Sequence, residues 1–217
     1  MKIGGLLKFS LIDYPNKVAA VIFTQGCNFR CPFCHNPELV LPEKFQAPMA
    51  EEQVLDFLLK RRGQLEGVVV TGGEPTLQKD LLPFLKKIKD MGYQIKLDTN
   101  GSHPGVLREA LQKKLVDFIA MDIKAPLEKY PQLTGVKDYL HAIEESIVLI
   151  ESSAYPYQFR TTVVKSLLSE EYLQKILRLI KETSSYHLQP FVTTNPILDP
   201  SLVEREKEWD SREDIRK

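Results

Sequence analysis

The sequence predicts an α/β fold built on parallel strands, and three observations carry that expectation. Short apolar runs rich in Val, Ile and Phe alternate along the chain with longer segments of helical periodicity. Strands separated by helices pair in parallel, because a right-handed crossover returns each strand beside the last. The 217 residues, 43% hydrophobic and 27% charged, have the size and composition of one domain with its own core. Six strand–helix units can close part-way into a barrel or form an open doubly wound sheet, and periodicity does not separate the two. In both, chemistry sits at the carboxyl ends of the strands.

The elements follow in order. The opening MKIGGLLKFSLIDYPNK mixes polar residues and a proline, with no apolar stretch or cleavage site of a targeting segment. No run approaches the length that spans a bilayer, so a cytoplasmic protein with reduced thiols is expected. The first strand is expected at 18–24 (VAAVIFT). A helix follows over 50–62, with Val54, Leu55, Leu58 and Leu59 on one face and Glu51 and Glu52 at its positive end. Strands at 67–71 and 93–98 flank a helix over 80–91, where Leu81, Leu82, Leu85 and Ile88 share a face and Gly92 provides the stop. Pro104 opens a helix over 104–114. Strands at 118–123 and 159–164, helices over 139–151 and 170–183, and a weak strand at 187–191 complete the series.

A core domain is expected over 1–200 and a charged tail or helix over 201–217. The tail has 11 charged residues of 17 and holds the single tryptophan. A solvated helix laced with i,i+4 pairs explains it better than a partner-binding appendage anchored on Trp209. The 29 basic and 29 acidic residues give zero formal charge, which argues against a nucleic-acid or anionic membrane partner.

All three cysteines lie between Cys27 and Cys34, in the spacing C-x3-C-x2-C, directly after the first strand. An odd count excludes a disulfide framework. Three thiolates can hold three irons of a [4Fe–4S] cluster and leave the fourth open. A zinc site from Cys27, Cys31, Cys34 and His35 is the rival, but Cys34 and His35 are adjacent and the usual downstream ligand pair is missing. Three buried structural cysteines so crowded by chance is a poor third. The second strand ends in Thr71-Gly72-Gly73-Glu74-Pro75, where paired glycines let backbone approach a neighbour closely.

The cysteine loop and the Gly-Gly-Glu run together resemble the radical S-adenosylmethionine (SAM) superfamily. The segments KFSLIDYPNK, CHNPE, TGGEPTLQ, LDTNG, AMDIKAP and FRTTVV resemble its glycyl-radical-enzyme activating branch, of the anaerobic ribonucleoside-triphosphate reductase type. The resemblance runs from about residue 3 to residue 191. It implies a partial (β/α)6 TIM-type barrel, a [4Fe–4S] cluster on Cys27, Cys31 and Cys34, and SAM on the open iron. The implied reaction is reductive cleavage of SAM to a 5′-deoxyadenosyl radical, which takes a hydrogen atom from a glycyl radical enzyme.

The resemblance also implies residue roles, each with a plainer alternative. Gly72, Gly73 and Glu74 would contact the SAM amino group, or form a strand-to-helix turn. Phe33 would lie near the adenine, or belong to the core. Asp122 and Lys124 would face the SAM carboxylate and ribose, or form a structural ion pair. Arg160 would reach the carboxylate, or pair with a surface acid. Asn36 would make a polar contact at the cluster loop, or simply form an Asn-Pro turn. Asp98, Thr99 and Asp122 match positions that hold a monovalent cation in some activases. No cysteine is left for an auxiliary cluster, so a flavodoxin or ferredoxin is the expected reductant. Two other functions stay open: a radical SAM enzyme acting on a small molecule such as a deazaguanine precursor, and a non-catalytic iron–sulfur sensor or electron carrier.

Overall fold

Seven strands form one sheet whose neighbours follow in chain order. In the computed structural model, which describes the backbone of residues 1–214 and the side chains of 1–207, they are β1 Ile3–Ser10, β2 Ala19–Thr24, β3 Gly67–Gly72, β4 Gln94–Thr99, β5 Phe118–Asp122, β6 Tyr157–Val163 and β7 Tyr186–Pro190. The helices are α1 Pro37–Val40, α2 Glu51–Lys60, α3 Leu81–Asp90, α4 Pro104–Gln112, α5 Tyr130–Thr134, α6 Leu140–Ser152, α7 Glu170–Leu177 and α8 Ser201–Asp214. β1 runs antiparallel to β2, and every pairing from β2 to β7 is parallel.

This order decides what periodicity left open. A doubly wound sheet reverses its strand order at a switch point. Here the order never reverses, so crossovers of one hand stack their helices on one face and the other face curls inward. The six parallel strands β2 to β7 are a partial (β/α)6 barrel, and β1 and β7 are the two edges of the whole sheet.

Alternation along each strand sorts residues between the two faces. Ala20, Ile22, Val68, Val70, Ile95, Leu97, Ile119, Met121 and Phe159 point outward into the main core under the helices. Ala19, Val21 and Val69 point inward and pack on Tyr14, which is 3% exposed. The Tyr14 ring lies against Gly67, at the start of β3, and its centroid is 6.0 Å from that of Phe118. It plugs the amino-terminal end of the barrel. The interior is therefore apolar at that end and polar at the other.

β1 was not expected from the sequence. It is an edge strand with largely half-exposed residues and a bulged register, so it carries no continuous apolar run. The expected helix over 170–183 ends at Leu177. The Lys181 N–H is taken by Glu151 Oε1 of α6 at 2.6 Å, which draws the chain away from the helical path. Beyond β7 the chain returns to the barrel, and Ile197 and Leu202 are buried in the main core. The side chain of Trp209 lies outside the described residues.

Candidate active site

The cysteine loop begins where β2 ends. Gly26 adopts φ +99°, a conformation open to glycine, and turns the chain out of the sheet. The Gly26 N–H donates to Leu39 O at 2.7 Å, which closes the neck of the loop. Inside it, Cys34 N–H donates to Cys31 O at 3.0 Å, forming a tight turn between the second and third cysteines. Arg30 ties the loop to α5 through Thr134 O at 2.7 Å, while its guanidinium donates to Cys27 O at 2.7 Å.

Cys31 is buried, Cys27 and Cys34 are half-buried, and all three are free thiols. Burial pushes the Cys27 thiol up to about 11 and the Cys31 thiol up to about 12, and raises Cys34 as well. The ammonium of Lys124 opposes this at each of the three. Desolvated thiols become stable thiolates when metal replaces their protons. Three such donors around one cavity fit an iron–sulfur cluster. His35 does not complete a zinc set: its Nε2 donates to Val192 O at 2.8 Å, and its ring packs on Phe191 at 5.5 Å between centroids.

The paired glycines have a concrete cause. A Cβ on Gly73 would lie 2.1 Å from Gly26 O, and one on Gly72 would lie 2.3 Å from Thr24 N. The backbone they approach is the protein's own cysteine loop. Gly73 N–H donates to Thr24 O at 2.9 Å and Glu74 N–H to Gly26 O at 2.8 Å, which locks the end of β3 to that loop.

Glu74 is fully buried. Its carboxylate accepts from Thr76 N–H at 3.0 Å, the Thr76 hydroxyl at 2.5 Å, the Thr99 hydroxyl at 2.8 Å and Asn100 N–H at 2.6 Å. Burial nonetheless holds its pKa above the usual carboxylate range. The side chain thus joins β3 to the end of β4, and the backbone of Gly72 to Glu74 lines the cavity.

Across the interior runs a chain of alternating charge. Lys96, 2% exposed, bonds Asp98. Asp98 Oδ2 receives an Arg160 guanidinium N–H at 3.3 Å, and Arg160 Nε donates to Asp122 Oδ1 at 2.8 Å. Lys124 Nζ closes the chain on Asp122 Oδ2 at 2.8 Å. Burial alone would raise the Asp122 carboxyl, but Arg160 and Lys124 outweigh it and hold it well below the usual range. Burial is the largest single influence on Lys124 and Arg160 and would lower both, but the carboxylates together outweigh it and hold them above their ordinary values. Three cations against two anions leave this chain one positive charge in excess. A monovalent cation at Asp98 and Asp122 would share them with these partners.

These parts border one cavity at the carboxyl ends of the strands, with about 830 Å³ of empty space, part of it open to solvent. Cys27, Cys31, Cys34, Phe33, Asn36, Gly72, Gly73, Glu74, Asp98, Thr99, Asp122 and Lys124 all line it. Arg160 meets it only through Asp98 and Asp122. Sequence reasoning passed over Asn100 and Lys96. Asn100 Nδ2 donates to Asn28 Oδ1 at 3.0 Å and lies 3.9 Å from Cys27 Sγ. The buried Asn28 Nδ2 has no protein partner among the described residues. The signal for Lys96 was its place two residues before Asp98, which puts both on the inner face.

The residues 21–180 match the family model described as the radical SAM superfamily. A protein of Methanocaldococcus jannaschii named as a glycyl-radical enzyme activating enzyme is 35% identical over 197 residues, covering 87% of this chain and 79% of its own length. A protein of Thermococcus kodakarensis named as a GTP 3′,8-cyclase is 33% identical over 148 residues, covering 68% of this chain and 48% of that protein. Among solved structures, Streptococcus suis SuiB bound to S-adenosylmethionine shares the fold at TM-score 0.64 and 15% identity, over 88% of this chain and 46% of SuiB. With its strand order, its cysteine loop and these matches in agreement, the chain belongs to the radical SAM superfamily.

Proposed function

We propose that this enzyme activates a glycyl radical enzyme by removing a hydrogen atom from one of that partner's backbone glycines. The observation that carries the reading is the 35% identity to an activating-enzyme relative over most of both chains. Cys27, Cys31 and Cys34 would hold the [4Fe–4S] cluster, and the cavity they line would take SAM. When bound, the cluster and SAM would together supply the one-electron chemistry that removes the hydrogen atom.

The protein's own residues position and shield. The end of β3, from Gly72 to Glu74, would hold the SAM amino group, with Glu74 Oε1 already accepting from three protein donors and Oε2 from one. The excess positive charge of the Lys96–Lys124 chain would attract the SAM carboxylate, and the Lys124 ammonium acts on all three cysteines. Phe33, 4% exposed, presents an apolar wall for the adenine. Asn36 lines the same cavity, and its backbone N–H bonds the Cys34 sulfur. The flanks of the barrel, β1 and β7, are not paired to each other, and this leaves a side through which a protein loop reaches the site. The electron comes from a separate flavodoxin or ferredoxin.

The test is anaerobic reconstitution with iron and sulfide, reduction, and addition of SAM with a candidate glycyl radical enzyme. The expected result is 5′-deoxyadenosine with a glycyl radical signal in EPR. SAM cleavage without a protein radical, but with turnover of a purine nucleotide, would instead favour the small-molecule reading that the cyclase relative supports.

A further inference from the structure

The chain after β7 does not run off into solvent. It returns to the cysteine loop and bonds the turn of the third cysteine, whereas β3 bonds the loop at Gly26. Leu198 N–H donates to Cys34 O at 3.0 Å, and Asp199 N–H donates to Pro32 O at 2.9 Å. Val192 O accepts from His35 Nε2 at 2.8 Å. These bonds hold the turn that carries the third cysteine.

The returning segment is itself anchored at its far end. Ile197 is 5% and Leu202 0% exposed, both within the main core. Glu206 is 7% exposed and accepts from Ser166 N–H at 2.8 Å and Lys165 N–H at 3.1 Å, just past β6. A buried carboxylate on two backbone donors is a strong tie, and its loss leaves both donors unpaired.

We propose that residues 192–206 are a positioning strap, which holds the Cys31–Cys34 turn in its cluster-binding conformation. The strap acts mainly through backbone N–H groups. Its sequence can therefore look like an ordinary charged tail, while its path is essential. β3 grips the loop at Gly26, the first-cysteine side, and the strap grips it at Pro32 to His35. The inference rests on the reading of the three cysteines as cluster ligands, but its geometry is that of the chain alone.

Two variants of the full chain test it. Leu198→Pro removes the donor to Cys34 O and leaves the side chains of the loop intact. Glu206→Gln loosens the anchor and touches neither the loop nor a cysteine. The first measurement is amide hydrogen exchange on the iron-free chain. The Cys34 amide is expected to exchange about fivefold faster or more in both variants, while amides of β2 to β5 are unchanged. The second is iron release to a chelator from the anaerobically reconstituted chain, expected to accelerate similarly. Unchanged Cys34 exchange in a folded variant overturns the strap. Should Leu198→Pro fail to fold, Glu206→Gln carries the test alone. Should the unsubstituted chain take up no iron, the cluster reading fails, and the exchange measurement still decides the strap.

Discussion

Asp122 shows how a single residue can be named from sequence while its circumstances stay hidden. Its place in AMDIKAP marks it for the site, but its two partners come from different elements: Arg160 on β6 and Lys124 just past β5. Only folding joins them. The pairing makes stability depend on acid in a definite direction. The folded carboxyl is held low, so the contribution is fully present above the unfolded pKa of about 3.9 and is lost as pH falls through the folded value. Asp122→Asn removes that dependence. The unsubstituted chain is expected to exceed the variant by about 2 kcal/mol at pH 7 in urea titrations, with Asp122 a quarter exposed and partly screened. The gap should shrink steadily below pH of about 4. A gap constant down to strongly acidic pH would show that the pair contributes nothing through its charge. Glu74 teaches the complementary lesson. The motif drew attention to its carboxylate as a ligand contact, and the fold also uses it to tie β3 to β4, with Thr76 and Thr99 on Oε1 and the Asn100 N–H on Oε2.

At the scale of elements, what was legible was whatever a periodic pattern expresses. β2 and β3 read as apolar runs because both their faces are covered, β4, β5 and β6 interrupt theirs with the charged residues of the interior, and the strand ends shift by only a residue or two from expectation. β1 was missed because an edge strand needs no such run. α5 was missed because its five residues are placed by tertiary contact, with Arg30 N–H on Thr134 O, rather than by amphipathic spacing. The meeting of β3 with the cysteine loop was legible only as two adjacent glycines, without the identity of the neighbour. Gly73→Ala should push that neighbour away. Its Cβ meets backbone oxygen, not a mobile side chain, so a loss of about 3 kcal/mol is expected in urea unfolding of the iron-free chain. Reduced iron uptake should accompany it. A loss below about 0.5 kcal/mol would mean the two strands part without cost.

The whole molecule is a barrel sealed at one end and open at the other. The seal is Tyr14, from the segment between β1 and β2, seated on Gly67 and beside Phe118. Tyr14→Ala should destabilise the fold by about 3–4 kcal/mol in denaturant titrations, since truncating a buried aromatic leaves a cavity against Ala19, Val21, Val69 and Phe118. SAM affinity of the variant, measured below its unfolding transition, should be unchanged, because the plug lies at the opposite end of the strands from the cavity. A variant of full stability would show that water or neighbouring side chains close that end instead. The sequence predicted the sheet and the position of the chemistry but not this polarity, which arises when interior positions of different strands come into one layer.

The bond from Leu198 to Cys34 O also sets an order in time. The cysteine loop leaves the ribosome early, yet the residues that close over its third cysteine are made 164 positions later, from 34 to 198. At ordinary elongation rates that interval is roughly 10–30 seconds. During it, β2 and β3 can already pair while the Cys34 turn is clasped from one side alone. A chain that has not yet made residue 198 therefore lacks the second hold on the turn that carries Cys34.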